Sequence, residues 1–148
     1  LQIGALLGGA SEADAQALYA YGEKVGLAFQ LQDDYLDVYG DFETFGKAIG
    51  GDILCNKKTF MLINALAHAP EHLRSELQGW LAATEYDPAE KIEAVRHIYT
   101  QVGVDQMAKE RISFYFAQAE DALRALPIAE ERKEILRQWT EQLLGRKR

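Results

Sequence analysis

The chain has 148 residues, 48% of them hydrophobic and 26% charged, which fits one globular domain and excludes a disordered segment. Its net charge of −7, from 23 acidic and 16 basic residues, argues against a nucleic-acid binder, which carries a basic face. A single cysteine, Cys55, forms no internal disulfide and points to a reducing, cytoplasmic setting, and no apolar run approaches the ~20 residues of a membrane-spanning helix.

Leu1-Gln2-Ile3-Gly4 opens the chain without Met or a capping residue, as though within a helix, so a longer parent protein is expected. That first helix stops at Gly8-Gly9. Ser11 caps the next, with Glu12 and Asp14 in its first turn, and the helix runs to about Tyr39 with Leu18, Tyr21, Val25, Ala28 and Phe29 on its buried stripe. Gly40 to Cys55 is rich in glycine, lacks periodicity and reads as a loop. Asn56 is the expected cap of a helix reaching about Ala69. Pro70 opens another through Leu73, Leu77, Trp80 and Leu81. Pro88 stands at the first position of a third, with Ile92, Val95, Ile98 and Tyr99 inward. Gly103 separates it from a helix carrying Val104, Met107, Ile112, Tyr115, Ala119, Leu123 and Leu126. After Pro127 a last helix places Ile128, Ile135, Trp139 and Leu143 on one stripe. No strand-like alternation intervenes, so residues 1–148 form a single all-α region, a helical bundle.

The chemistry concentrates in Gln30-Leu31-Gln32-Asp33-Asp34-Tyr35-Leu36-Asp37. Helical spacing puts Asp33 and Asp37 on one face with Asp34 beside them, near a helix C-terminus where the dipole disfavours negative charge. A divalent cation relieves that repulsion, and hard oxygen donors favour Mg²⁺; an acidic solvated face is the alternative reading of the same residues. Downstream stand Phe45-Gly46-Lys47 and Gly50-Gly51-Asp52-Ile53, whose glycines permit close backbone approach, then Asn56-Lys57-Lys58-Thr59 at an expected helix start that attracts anions. Acidic helix end, glycine loop and basic helix start together describe a site for Mg²⁺ and a polyphosphate.

These stretches, FQLQDDYLDVYG, FGKAIGGDI and NKKT, resemble the second aspartate-rich region of the farnesyl and geranylgeranyl diphosphate synthases, the polyprenyl synthetase family. The resemblance covers Leu1 to about Leu66 and implies the later half of an isoprenoid-synthase bundle. It implies that Asp33 ligates Mg²⁺ directly while Asp34 and Asp37 act largely through water. It implies that Lys47 and Lys57 bind the diphosphate of an allylic substrate, that Phe29 and Gln30 face the prenyl groups, and that Asp52 organises the loop. Phe29 also reads as a core aromatic, and Asp52 as a loop cap. The implied reaction condenses an allylic diphosphate with isopentenyl diphosphate, in a homodimer. A second aspartate-rich motif, the isopentenyl diphosphate site and a Lys-Thr pair are expected upstream of residue 1, so this chain alone is expected to be inactive and to self-associate through uncovered apolar surface. A terpene cyclase on the same fold and a non-catalytic helical subunit are the rival readings; Lys47 and Lys57 after the acidic motif argue against the first, and the intact aspartates against the second. The basic end Gly145-Arg146-Lys147-Arg148 reads as a flexible tail, and His68, His72 and His97 as surface residues.

Overall fold

The computed structural model describes residues 1–40 and 49–144, which form eight α-helices and no strand. They are α1 (Gln2–Leu7), α2 (Glu12–Tyr39), α3 (Gly51–Leu54), α4 (Phe60–His68), α5 (Glu71–Ala82), α6 (Pro88–Val102), α7 (Val104–Arg124) and α8 (Glu130–Leu144). The all-α expectation holds. Lys47 and the basic tail lie outside the described residues.

The helix starts follow their caps. Ser11 Oγ accepts from the Asp14 amide at 3.1 Å and sets the start of α2. Asp87 accepts from the Glu90 amide at 3.0 Å ahead of Pro88, and α6 ends at Gly103, whose φ of 79° no β-carbon opposes. Two boundaries differ from the expectation. Within the glycine-rich stretch, residues 51–54 close one helical turn, α3. The cap of α4 is Thr59, whose hydroxyl accepts from the Leu62 amide at 3.2 Å, and not Asn56, which adopts a left-handed φ of 52° and turns its amide elsewhere. Lys57 and Lys58 therefore precede the cap of α4 and do not lie in its first turn.

The chain packs as two compact units. One comprises Leu31–Glu110. Its core gathers Val38 from α2, Ile53 from α3, Met61, Leu62 and Ala65 from α4, Leu73 and Leu77 from α5, and Val95, Ile98 and Tyr99 from α6. Helix α6 touches α3, α4 and α5, so the short α3 is held against a fixed surface. Each fully buried aliphatic here contributes about 1.5–3 kcal/mol. Tyr39 shares a hydrogen bond with Thr100 at 3.0 Å, and burial pushes its pKa up to about 12.

The other unit comprises Leu1–Gln30 and the described residues from Arg111 onward. Tyr21, Val25, Ala119, Leu123 and Leu126 form its core, with Leu18, Leu136 and Leu143 packed against them. The expected stripe on α8 is corrected here: Ile135 and Trp139 are 58% and 67% exposed, and Ile128 precedes the helix. The reason is polar. The Tyr21 hydroxyl donates to the Leu136 carbonyl at 2.9 Å and meets Thr140, while Arg137 forks onto Glu120, its Nη2 at 2.8 Å, and these bonds turn the Leu136 face inward. Lys133, only 4% exposed, donates to the Arg124 carbonyl at 3.1 Å and so closes the end of α7. Phe114 on α7 is about half exposed.

Candidate active site

Asp34, Asp37, Asp52 and Lys57 meet where α2 ends against α3. Gly50 precedes α3 with φ of 87° and offers no side chain to cap it. Asp37 supplies the missing acceptor: its Oδ2 takes the Asp52 amide at 2.9 Å, and its main-chain carbonyl takes the Gly50 amide at 2.6 Å. The last turn of α2 is thereby bonded to the first turn of α3. A β-carbon on Gly50 would stand 2.6 Å from the Ile92 side chain, which fixes glycine at this junction on two counts.

Lys57 bridges two carboxylates. Its Nζ donates to Asp34 Oδ1 at 2.9 Å and to Asp52 Oδ2 at 2.8 Å. Asp34 is 7% exposed, whereas the Lys57 side chain is 42% exposed, so the ammonium covers a buried charge and still faces water. Hydrogen bonds to Asp52 and then to Asp34 raise the Lys57 pKa well above the ordinary lysine value. Asp37 is shifted upward too. Burial is the main cause, and the charges of Asp52 and Asp33 add to it against the opposing Asp52 amide and Lys57.

Asp33, Asp34 and Asp37 thus stand in three different environments. Among the described residues no three carboxylate, histidine or cysteine side chains gather into a ready-made metal cage, because Lys57 occupies the space between Asp34 and Asp52. Asp33 is half-buried and has no hydrogen-bond or ion-pair partner among the described residues, so its oxygens are available. An available carboxylate one turn from a second carboxylate whose charge is disfavoured suits a hard divalent cation, which the chain's other oxygens and water would complete. Gln30 is exposed, and Phe29 lines an apolar cavity of about 600 Å³ with Leu1, Tyr19, Val25, Leu136 and Trp139; both belong to the unit of residues 1–30.

Asn56, expected as a helix cap, supports this site instead, together with Lys91 and Tyr86, which the sequence did not single out. Asn56 Nδ2 donates to the Leu81 carbonyl at 3.1 Å, Lys91 Nζ donates to Asn56 Oδ1 at 2.9 Å, and the Tyr86 hydroxyl donates to the Leu54 carbonyl at 3.3 Å. Only the stripe position of Lys91, in register with Val95 and Ile98, signals that it points inward.

The chain is similar to known proteins over most of its length. The family model described as Polyprenyl synthetase matches residues 1–101. A short chain isoprenyl diphosphate synthase of Methanothermobacter thermautotrophicus is 40% identical over 133 residues, covering 89% of this chain and 40% of that protein. A geranylgeranyl diphosphate synthase of Methanosarcina mazei is 33% identical over 145 residues, covering 98% and 42%. A crystal structure of geranylgeranyl pyrophosphate synthase superposes with a TM-score of 0.87 at 39% identity, covering 99% of this chain and 46% of that one. The chain spans about two-fifths of the length of the curated relatives it matches. It belongs to the polyprenyl synthetase family.

Proposed function

We propose that this chain carries the allylic-diphosphate half of a trans-prenyltransferase site, in an enzyme that condenses an allylic diphosphate with isopentenyl diphosphate. The observation that carries the reading is the Lys57 ammonium, held between Asp34 and Asp52 yet 42% exposed, beside the available carboxylate of Asp33. A lysine so placed donates to an incoming diphosphate without leaving its carboxylates, and its raised pKa keeps it cationic throughout the neutral range.

Asp33 is the residue to hold Mg²⁺ directly, with Asp34 and Asp37 acting through water and Lys47 as a second diphosphate cation. Bound there, Mg²⁺ supplies positive charge to the oxygens of the departing diphosphate. Lys57 does the same from the protein side. As the allylic carbon–oxygen bond breaks, its electron pair leaves with diphosphate, and preorganised donors lower the cost of that charge. The double bond of isopentenyl diphosphate then forms the new carbon–carbon bond, and the proton lost from the adduct goes to the released diphosphate. Asp52 holds Lys57 in place, and Phe29 and Gln30 belong on the prenyl side. The relatives' names favour this chemistry over a terpene cyclase or a non-catalytic subunit. We place the enzyme in the cytoplasm as a homodimer; no helix among the described residues is long and apolar enough to cross a membrane.

The test is Mg²⁺-dependent diphosphate release by the full-length protein from isopentenyl diphosphate and a series of allylic diphosphates. Asp33→Ala is expected to lower turnover about 10²–10³-fold, the scale for losing one transition-state electrostatic contact. Full-length protein inert with every allylic diphosphate, or an Asp33→Ala enzyme of undiminished turnover, refutes the proposal.

A further inference from the structure

Among the described residues Lys91 is the largest fully buried side chain, 1% exposed, and no carboxylate there pairs with it. Buried amines normally take a carboxylate partner, and an apolar side chain of similar volume fills such a space at lower cost. Here the amine has an amide and a ring. Its Nζ donates to Asn56 Oδ1 at 2.9 Å and sits 4.2 Å from the centre of the Tyr86 ring, whose negative face attracts it. Packing alone does not account for a polar group kept at this depth.

What the contact achieves is visible one residue along. Asn56 has a left-handed backbone, φ 52°, which few side chains tolerate. Both ends of its amide are used, Oδ1 by Lys91 and Nδ2 by the Leu81 carbonyl, so the turn is fixed in one orientation. Lys57 follows directly, its own amide donating to the Asp52 carbonyl at 2.9 Å, and its side chain leaves the turn towards Asp34 and Asp52. We infer that Lys91 is a positioning residue for Lys57: by holding Asn56 Oδ1 it locks the left-handed turn that aims the Lys57 amine. The inference rests on the reading of Lys57 as a diphosphate ligand. Lys91 itself contacts no substrate.

The test uses the full-length protein and calorimetric titration with inorganic pyrophosphate at saturating Mg²⁺, so turnover is not the readout. Lys91→Met, which keeps the volume and removes the donor, is expected to weaken pyrophosphate about tenfold, within the range of coupling between residues in one network. Asn56→Gly, which keeps the left-handed backbone and removes the acceptor, is expected to weaken it equally and serves should Lys91→Met fail to fold. The double variant is expected to bind no more weakly than either single. In a Lys57→Ala background, Lys91→Met is expected to change nothing further. Variants that melt lower yet bind pyrophosphate as the parent does overturn the inference, as does a full tenfold loss on top of Lys57→Ala. Undiminished binding by Lys57→Ala itself overturns the underlying reading of Lys57, a distinct result.

Discussion

Lys57→Met should destabilise the protein even in the absence of Mg²⁺ and substrate. The substitution leaves Asp34, whose side chain is 9% exposed, without the cation 2.9 Å away. Breaking a buried ion pair costs about 3–5 kcal/mol, and an exposed one about 0–1 kcal/mol. With the lysine 42% exposed, water screens part of the loss, and about 1–3 kcal/mol remains. At roughly 2–4 °C per kcal/mol for a domain of this size or larger, the melting midpoint should fall by about 2–12 °C. Lys58→Met is the control: Lys58 is exposed and should change stability by no more than about 0.5 kcal/mol. In an Asp34→Asn background the Lys57→Met loss should shrink by more than half, since the buried charge has gone. The pH dependence follows from the raised Lys57 pKa. Its stabilisation is complete below the unfolded value of about 10.4 and is lost only as pH rises through the higher folded value, so the deficit should be flat from pH 6 to about pH 10. The assay is thermal unfolding of the full-length protein by circular dichroism. A Lys57→Met midpoint equal to that of Lys58→Met, or a loss undiminished by Asp34→Asn, would refute the argument.

Asp37→Asn should lower turnover while melting at least as high as the parent at pH 7. The folded Asp37 pKa is raised, chiefly by burial, so the proton stabilises the fold fully below the unfolded value of about 3.9 and that gain disappears as pH rises through the folded value. The gap between variant and parent should therefore close on acidification, and a pH series of melting curves in which it widens instead would contradict this. Gly50→Ala must place a β-carbon at φ 87° and 2.6 Å from Ile92, costing about 2–4 kcal/mol from the left-handed backbone and overpacking together. Urea unfolding measures it, and Ile92→Ala in the same chain should recover the overpacking part. Thr59→Ala removes the cap of α4 and should cost about 1 kcal/mol, read from the urea midpoint, whereas Thr59→Ser should retain most of it.

Much of the scaffold was legible because helix periodicity and caps are local. Ser11, Pro88 and Gly103 act where their residue types predict, and the helical spacing of Asp33, Asp34 and Asp37 pointed to the end of α2, where Asp34 and Asp37 are joined to Lys57 and Asp52. Local signals failed where one residue type serves two ends. Asn is both a good cap and a tolerant left-handed residue, and at position 56 the second property prevails because Lys91 and Leu81 take its amide, leaving the cap to Thr59. On α8 two apolar stripes compete, one through Ile135 and Trp139 and one through Leu136 and Leu143. Periodicity cannot choose between them; Tyr21 and Glu120, more than a hundred and about seventeen residues away, do so through Leu136 and Arg137. The division of labour among the aspartates was equally hidden, since nothing in DDxxD says that Asp37 caps α3 while Lys57 claims Asp34.

The left-handed turn at Asn56 also sets how this segment can drift over evolutionary time. Positive φ at that position restricts the workable alphabet to Gly, Asn and Asp. Each choice then dictates what stands at position 91. Asn suits a donor, Asp would give the buried lysine a full counter-charge, and Gly would strand it without an acceptor and favour its replacement by an apolar residue. Exchanges at 56 and 91, thirty-five residues apart in the chain, should therefore occur in pairs among descendants of this sequence, so that ancestry is recorded as a joint choice at two sites and not as independent substitutions.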